Sequence, residues 1–204
     1  MSKYPIIVFE GIEGSGKTTH INNVCKFLKK KNKKFIKIRE PGGSKNSEKI
    51  RKLILNNKSK FSEKTDLLLM LSARSENVDK ILSKHLNKKI ILIDRFTDST
   101  IAYQHYGMKI NLRIIKIINK FLLNKIKPDL TFLNIVNKKN LIIRLKKRKN
   151  KNRYDNFSYE FYNKVQKGFL KISKGSKYTI IDSNDPLAYN KKKVLNKISK
   201  TIKL

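Results

Sequence analysis

The residues Gly11-Ile12-Glu13-Gly14-Ser15-Gly16-Lys17-Thr18 indicate the fold of this chain, because they fit the pattern G-x-x-x-x-G-K-[ST]. An apolar segment with the length of a strand precedes it, and a helical pattern follows it. In such a loop, glycines let backbone N–H groups wrap a phosphate, and the dipole of the following helix adds positive potential. We expect Lys17 to reach the transferred phosphate and the Thr18 hydroxyl to ligate magnesium. The motif therefore predicts that all eight residues bind the phosphates of a nucleotide.

Outward from this loop, short apolar segments alternate with longer helical patterns along the chain. The predicted strands cover residues 6–10, 35–39, 90–94, 130–136 and 178–182. The predicted helices cover about 17–30, 47–56, 63–86, 99–106, 112–126 and 159–173, with a basic helix from residue 139 and a terminal helix. This order predicts an α/β P-loop fold with a central parallel five-stranded sheet and helices on both faces. Ligands of such sheets bind beyond the carboxyl ends of the strands.

Composition excludes several classes of protein. The 204 residues are 39% hydrophobic, which suits one domain over 1–204 and excludes disordered and fibrous chains. Cys25 is the only cysteine, so the chain can form neither an internal disulfide nor a four-cysteine zinc site. The apolar run near the start is only about five residues long, too short for a signal-peptide core or a membrane span. We therefore expect a soluble cytoplasmic protein with no membrane partner.

The charge is strongly positive, at +34 from 49 basic and 15 acidic residues. Such an excess can indicate nucleic acid, anionic membranes or phosphorylated small molecules as partners. Only eight of the basic residues are arginines, and the lysines are scattered with few interleaved aromatic residues. Selection for phosphate contacts on one face would instead enrich and cluster arginine. We therefore expect no functional nucleic-acid binding.

Charged residues at the predicted strand ends favour a small kinase. Switches and motors need an element that couples hydrolysis to movement, whereas small kinases need a second phosphate pocket and a mobile lid. The second strand ends in REPGG (39–43), and Arg51 follows on the next helix. The third strand ends in Asp94-Arg95. These arginines can form the second anion pocket.

Together the motifs resemble the thymidylate kinases, which transfer a phosphate from ATP to thymidine monophosphate (dTMP). The matching segments, in the family's order, are FEGIEGSGKTT, REPGG, SEKIR, LMLSAR, DRFTDSTIAYQ, PDLT and RLKKRKNKNRYDNFSYEFY. REPGG and DR-x-x-x-S-x-x-AYQ are the most specific of them. The resemblance implies Mg²⁺ with ATP as donor, dTDP and ADP as products in dTTP biosynthesis, and a homodimer. Another P-loop nucleoside-monophosphate kinase and a nucleic-acid-associated P-loop ATPase remain alternatives.

The resemblance also implies which residues bind dTMP. Arg51 and Arg95 correspond to the clamps on the monophosphate, since guanidinium forks grip phosphate oxygens in pairs. Arg74 corresponds to the group that hydrogen-bonds a thymine carbonyl. Tyr103 corresponds to the aromatic residue beside the 2′ carbon of the sugar. The remaining residues implied around the acceptor are Glu40, Pro41, Met70, Thr100 and Gln104.

For catalysis, the resemblance implies several positively charged side chains around the transferred phosphate, with a carboxylate beside them. Lys17, Arg95 and Glu13 are expected to act together with Arg153, which resembles a catalytic arginine in the lid, about residues 147–156. Gly14 stands where another form of the family has an arginine, so the lid must supply that charge. Arg148 resembles the residue that stacks on adenine. Thr18 and Asp94 are the implied metal ligands.

Three positions depart from the family's pattern and concern specificity and rate. Met70 stands where a phenylalanine usually stacks on thymine, four residues before Arg74. Ile135 replaces a common aspartate, and Asn152 stands where aspartate is favoured. The three histidines share no spacing with acidic or cysteine ligands, so we expect them on helix surfaces.

Overall fold

Five strands, each formed by one of the short apolar runs, make a single parallel sheet in the computed structural model, which describes residues 4–203. The strands are β1 (Ile6–Glu10), β2 (Phe35–Arg39), β3 (Ile90–Asp94), β4 (Leu130–Ile135) and β5 (Tyr178–Asp182). Their order across the sheet is β2-β3-β1-β4-β5. β1 is buried along its whole length, because it lies at the centre and is covered on both faces. The predicted fold is confirmed.

Helices connect the strands and cover both faces of the sheet. They are α1 (Lys17–Lys30), α2 (Lys45–Leu55), α3 (Glu63–Asn77), α4 (Ser83–His85), α5 (Thr97–Thr100), α6 (Leu112–Leu123), α7 (Lys138–Lys146), α8 (Tyr159–Ile172) and α9 (Leu187–Thr201). π-Helical segments cover Val78–Leu82 and Ile101–Gly107, and a 3₁₀ helix covers Arg153–Asn156. Within residues 4–203 no helix combines the length and the hydrophobicity that crossing a bilayer requires.

Local capping moves several boundaries away from the predicted ones. The Ser44 side chain accepts a hydrogen bond from the Ser47 backbone N–H, so α2 begins at Lys45 rather than at residue 47. Asn124 has a φ of 48°, which ends α6 at Leu123 rather than at residue 126. The polar loop before α8 contains the 3₁₀ helix, whose first turn Asn152 caps.

Two helical patterns that were predicted as continuous α-helices change to π-helix part-way. The predicted helix 63–86 runs through α3, the π segment Val78–Leu82 and α4. The predicted helix 99–106 is mainly the π segment Ile101–Gly107. Such segments often occur at functional sites, because the wider turn changes the direction of the side chains. The second one carries Tyr103 and Gln104, two of the residues expected at the acceptor.

The core lies on both faces of the sheet and leaves its carboxyl edge free. On one face Phe9 and Phe132 stack with their ring centroids 5.1 Å apart, in a cluster that includes residues of α1 and α9. A second cluster joins Tyr162 and Phe169 of α8 to Tyr103. The covered faces hold the strand ends in fixed positions around the edge where the glycine loop lies.

Candidate active site

The glycine loop between β1 and α1 has the backbone that its sequence predicts. Gly11, Gly14 and Gly16 have backbone φ values of 136°, 66° and 85°, which residues with a Cβ rarely adopt. A Cβ at Gly11 would collide with the backbone oxygen of Asn134 on β4. α1 starts directly after Gly16, so its N-terminus faces the loop. The loop is therefore shaped for close approach of a phosphate to backbone N–H groups.

Lys17 lies inside this loop. It is 7% exposed, and its Nζ donates hydrogen bonds to the Gly11 oxygen at 2.9 Å and the Ile12 oxygen at 2.8 Å. Burial, and next the neighbouring Arg95, lower the pKa of Lys17 to about 8. A phosphate at the loop would give this ammonium a charged acceptor in place of two carbonyl groups.

A cavity of about 820 Å³ runs along the carboxyl edge of the sheet and brings most of the predicted site residues together. We call it the cleft. The predicted residues that line it are Glu13, Gly14, Ser15, Gly16, Lys17, Thr18, Glu40, Pro41, Arg51, Met70, Arg74, Asp94, Arg95, Thr100, Tyr103, Gln104 and Arg148. Gly11 and Ile12 lie behind this lining, where their carbonyl groups hold Lys17. Arg153 is outside the cleft.

The lining of the cleft includes a buried ion pair. Arg74 Nε donates to Glu40 Oε2 at 2.8 Å, and the two side chains are 3% and 5% exposed. Arg74 Nη1 also donates to Asn119 Oδ1 at 2.7 Å, and the guanidinium lies 5.2 Å from the Phe96 ring centroid. Glu40 Oε1 is buried and has no hydrogen-bond partner among residues 4–203. Burial raises the pKa of Glu40 although Arg74 opposes this shift.

Arg95, Glu13 and Tyr103 form a second charged group at the middle of the cleft. Arg95 Nη2 donates to Glu13 at 2.8 Å, and Nη1 donates to the Gly11 oxygen at 2.7 Å. The Tyr103 hydroxyl donates to the other Glu13 oxygen, and the Arg95 guanidinium lies 5.2 Å from the Tyr103 ring centroid. Burial alone would lower the pKa of Arg95, but Glu13 and its other neighbours raise it. Arg95 therefore presents a fixed positive charge beside the phosphate loop.

Two further arginines line the acceptor side. Arg51 donates to the Pro41 oxygen, and burial followed by the charge of Arg39 lowers the pKa of Arg51 to about 10. Arg39 pairs with Glu48 at 3.0 Å and remains half-exposed. Arg39, which begins the REPGG motif, was grouped with the strand-end arginines of the second anion pocket but was not among the residues expected to bind dTMP; it also lines the cleft. With Arg95, these side chains make this part of the cleft strongly attractive to an anion.

Thr18 and Asp94 meet at one end of the glycine loop. Thr18 Oγ1 lies 3.5 Å from Asp94 Oδ2, and both residues line the cleft. Hydroxyl and carboxylate oxygens are hard ligands that suit Mg²⁺, which binds proteins through few side chains and completes its coordination with water and phosphates. The residues present therefore fit a magnesium ion that arrives with a nucleotide.

The lid, residues 147–156, differs most from expectation. Arg153, expected as the catalytic lid arginine, points away from the cleft: it forms an ion pair with buried Asp66, and its Nε donates to the Ile54 oxygen at 2.9 Å. The buried carboxylate of Asp66 is the physical reason, because it offers the guanidinium a charged partner. Arg148 lines the cleft and pairs with Asp155, with 42% of its side chain exposed.

Sequence reasoning missed Arg144 and misplaced His20. Arg144 on α7 donates to the Gly14 oxygen at 2.9 Å and the Ser183 oxygen at 2.7 Å, so it joins the glycine loop to the turn after β5. Its position four residues before Arg148 was the available signal, hidden in a basic run. His20, expected on a helix surface, is buried and lines the cleft, and burial lowers its pKa.

The fold and the cleft define a phosphoryl-transfer enzyme of the P-loop kinase class, with a phosphate loop, a second anion pocket and a basic lid around one cavity. The sequence profile of the family described as thymidylate kinase matches residues 9–194. The chain belongs to the thymidylate kinase family.

Individual relatives agree with the family assignment. A thymidylate kinase of Prochlorococcus marinus (strain MIT 9312) is 40% identical over 210 residues, covering 98% of this chain and 96% of the relative. A thymidylate kinase of Thermosipho africanus is 40% identical over 169 residues, covering 82% and 84%. The crystal structure of thymidylate kinase from Ehrlichia chaffeensis superposes with a TM-score of 0.78 at 29% identity, covering 96% of this chain and 98% of that one. The predicted thymidylate kinase function is thus confirmed.

Proposed function

We propose that this chain transfers the γ-phosphate of ATP to dTMP in a single cleft, giving dTDP and ADP. The observation that carries the proposal is the cleft itself, because it joins the glycine loop to a separate group of arginines. A single phosphate site would be enough for the hydrolysis of one nucleotide. Two cationic sites facing one cavity suit transfer between two phosphorylated ligands.

The donor lies along the glycine loop. Its phosphates meet the backbone N–H groups of the loop, and Lys17 exchanges the Gly11 and Ile12 carbonyl groups for a phosphate oxygen. The adenine end lies beside Arg144, since this residue joins Gly14 to Ser183 at the side of the loop away from the acceptor. We therefore assign Arg144, rather than Arg148, to the nucleobase of the donor.

The acceptor lies on the opposite side, with its phosphate between Arg51 and Arg95. Arg74, held rigidly by Glu40 and Asn119, presents its guanidinium to the base. The side chains of Thr100, Gln104 and Met70 lie around the same end and contact the ring. Tyr103, fixed by its hydrogen bond to Glu13, fills the space beside the sugar.

The charge on the transferred phosphoryl group is neutralised by one arginine on the acceptor side of the cleft and one in the lid. Arg95 acts from the acceptor side, and Glu13 positions it through their ion pair. Gly14 contributes no side chain, so the lid must supply the remaining cation. Arg148 is the lid arginine that lines the cleft, and we propose it for this role in place of Arg153. Each such cation acts where negative charge develops, which is the main source of rate in phosphoryl transfer.

Thr18 and Asp94 would hold a magnesium ion, which would supply positive charge beside the phosphates of ATP. Asp94 ends β3, and Thr18 lies in the first turn of α1, so two rigid elements fix these oxygens.

A homodimer in the cytoplasm is part of the same proposal. Apolar side chains are exposed on α3 and α6, which lie side by side; they are Leu68, Ile114, Ile117 and Phe121. Large apolar side chains exposed on two neighbouring helices are typical of an interface. Sedimentation velocity should give twice the chain mass, and Phe121→Glu should shift the protein toward monomer.

A second candidate function is phosphorylation of a different nucleoside monophosphate. Met70 favours it, because a thioether packs against a base less selectively than a stacked ring. The test is ADP release by the purified protein with Mg-ATP and, in parallel, the monophosphates of thymidine, deoxyuridine, deoxycytidine, deoxyguanosine and adenosine. Fastest turnover with dTMP supports the first function. Faster turnover with another monophosphate would support the second.

A further inference from the structure

We propose that Asp66 is a positioning residue that joins the base end of the acceptor pocket to the lid, so that acceptor binding is transmitted to the lid. The proposal rests on the proposed function of the cleft. It concerns a residue that does not itself line the cavity and therefore acts through its neighbours.

Asp66 is a buried carboxylate with partners on two separate elements. It lies in the first turn of α3 and is 1% exposed. From the lid, the Arg153 guanidinium forms an ion pair with Oδ1, and the Tyr154 hydroxyl donates to Oδ2. From the π segment, Gln104 Nε2 lies 3.4 Å from Oδ2. One side chain thus contacts both the lid and a residue of the acceptor pocket.

The position of Asp66 on α3 extends this connection to the base. Asp66, Met70 and Arg74 follow one another at intervals of four residues, so they lie on one face of the helix. Met70 and Arg74 line the cleft. Asp66 lies on the same face, one turn closer to the N-terminus, where it meets the lid.

A second contact between the same two regions runs parallel to the first. Tyr154 lines the cleft, and its ring centroid lies 5.9 Å from that of Tyr103. Tyr103 contacts Tyr154 of the lid's 3₁₀ helix, and Gln104 contacts Asp66, which holds that helix. An acceptor that contacts Tyr103 and Gln104 therefore touches two residues that are each connected to the lid. Because Asp66 holds that helix through two polar contacts, we expect its loss to separate the movement of the lid from acceptor binding.

Asn57 offers a matched control at the other side of the lid. Asn57 Nδ2 donates to the Lys151 oxygen at 3.2 Å, in an exposed position. It therefore contacts the lid without lining the cleft. If any contact with the lid were enough, Asn57→Ala and Asp66→Asn would have the same effect. The proposal predicts that they differ.

Limited digestion by trypsin measures the lid directly, since basic residues at 147–149 and 151 are exposed. The lid cleavage rate is followed by mass spectrometry with and without dTMP, in the absence of ATP, relative to cleavage at 191–193. In the wild-type chain and in Asn57→Ala, dTMP should slow lid cleavage by about fivefold or more. In Asp66→Asn the same dTMP occupancy should slow it by less than about twofold. The kcat of Asp66→Asn should fall by about tenfold, with a smaller change in the KM for dTMP.

The outcomes separate this proposal from the proposed function. Equal protection of the lid in the wild-type chain and in Asp66→Asn, with dTMP phosphorylated by both, would overturn the role of Asp66 alone. A wild-type chain that neither binds nor phosphorylates dTMP would overturn the proposed function. If Asp66→Asn does not fold, Tyr154→Phe removes one of the two lid contacts, and it should lose part of the protection while keeping its circular dichroism spectrum. Full protection in that variant would count against the proposal.

Discussion

The buried pair Arg74–Glu40 gives the sharpest prediction about stability. The substitution Arg74→Met keeps an unbranched side chain but removes the charge. Glu40 Oε2 then loses a donor at 2.8 Å, in surroundings where only 5% of the Glu40 side chain is exposed. Its other carboxylate oxygen already has no partner among the described residues. The variant therefore leaves a buried carboxylate without its cation.

Removing one member of a buried ion pair typically costs about 3–5 kcal/mol of unfolding free energy. For a chain of this length each kcal/mol lowers Tm by about 2–4 °C, so the expected decrease is about 6–20 °C. The loss should depend on pH. Burial already raises the pKa of Glu40, and removal of Arg74 raises it further. A carboxyl group whose pKa is higher in the folded state than in the unfolded state contributes stability that is fully present below the unfolded pKa. This stability is lost as pH rises through the folded pKa.

Urea unfolding at pH 5.5 and pH 8 checks both the size and the sign of this effect. Arg39→Met is the matched control, since Arg39 and Glu48 form an ion pair at 3.0 Å but their side chains are 54% and 35% exposed. Breaking that pair should cost only about 0–1 kcal/mol. Arg74→Met should cost more at pH 8 than at pH 5.5. Equal losses of unfolding free energy for the two variants, or a loss for Arg74→Met that does not change with pH, would contradict this role of the buried ion pair.

Three further predictions concern Glu10, Met70 and Tyr103. Burial, and next Asp98, raise the pKa of Glu10 to about 7, so the unfolding free energy should fall as pH rises from about 4.5 to 7. Glu10→Gln should flatten this part of the curve, and an unchanged slope would be contrary evidence. Met70→Phe should tighten dTMP binding several-fold in calorimetry by restoring a stacking ring, whereas weaker binding would place the side chain in the core. Tyr103→Phe should keep the preference for deoxyribose over ribose, and Tyr103→Ala should reduce it by about tenfold, measured as a ratio of kcat/KM values; equal ratios for both variants would argue against a steric filter.

The sequence was sufficient for the fold and for the phosphate loop because both depend on local patterns. Apolar runs of five or six residues gave the strands, and the glycines at 11, 14 and 16 gave the loop. The residues at the strand ends also came together as expected, since parallel strands carry their carboxyl ends to one edge.

The lid could not be predicted in the same way. Arg144, Arg148 and Arg153 lie in or beside one basic run, and their spacing does not tell which of them faces the cleft. Arg153 points away because of Asp66, a residue 87 positions distant in sequence. The π segments were missed for a similar reason, since helical periodicity does not distinguish a widened turn from an α-helical one. Contacts between elements that are far apart in sequence determine where the lid arginines point and where a helix widens.

The proposed reaction of the cleft is transfer of a phosphoryl group between two bound nucleotides. Incubation of the purified chain with Mg²⁺, dTMP and ATP labelled at the γ-phosphate tests it most directly, followed by separation of the labelled products. We expect nearly all of the released label in dTDP, formed in step with ADP. Label found mainly in inorganic phosphate, with no labelled dTDP, would contradict it.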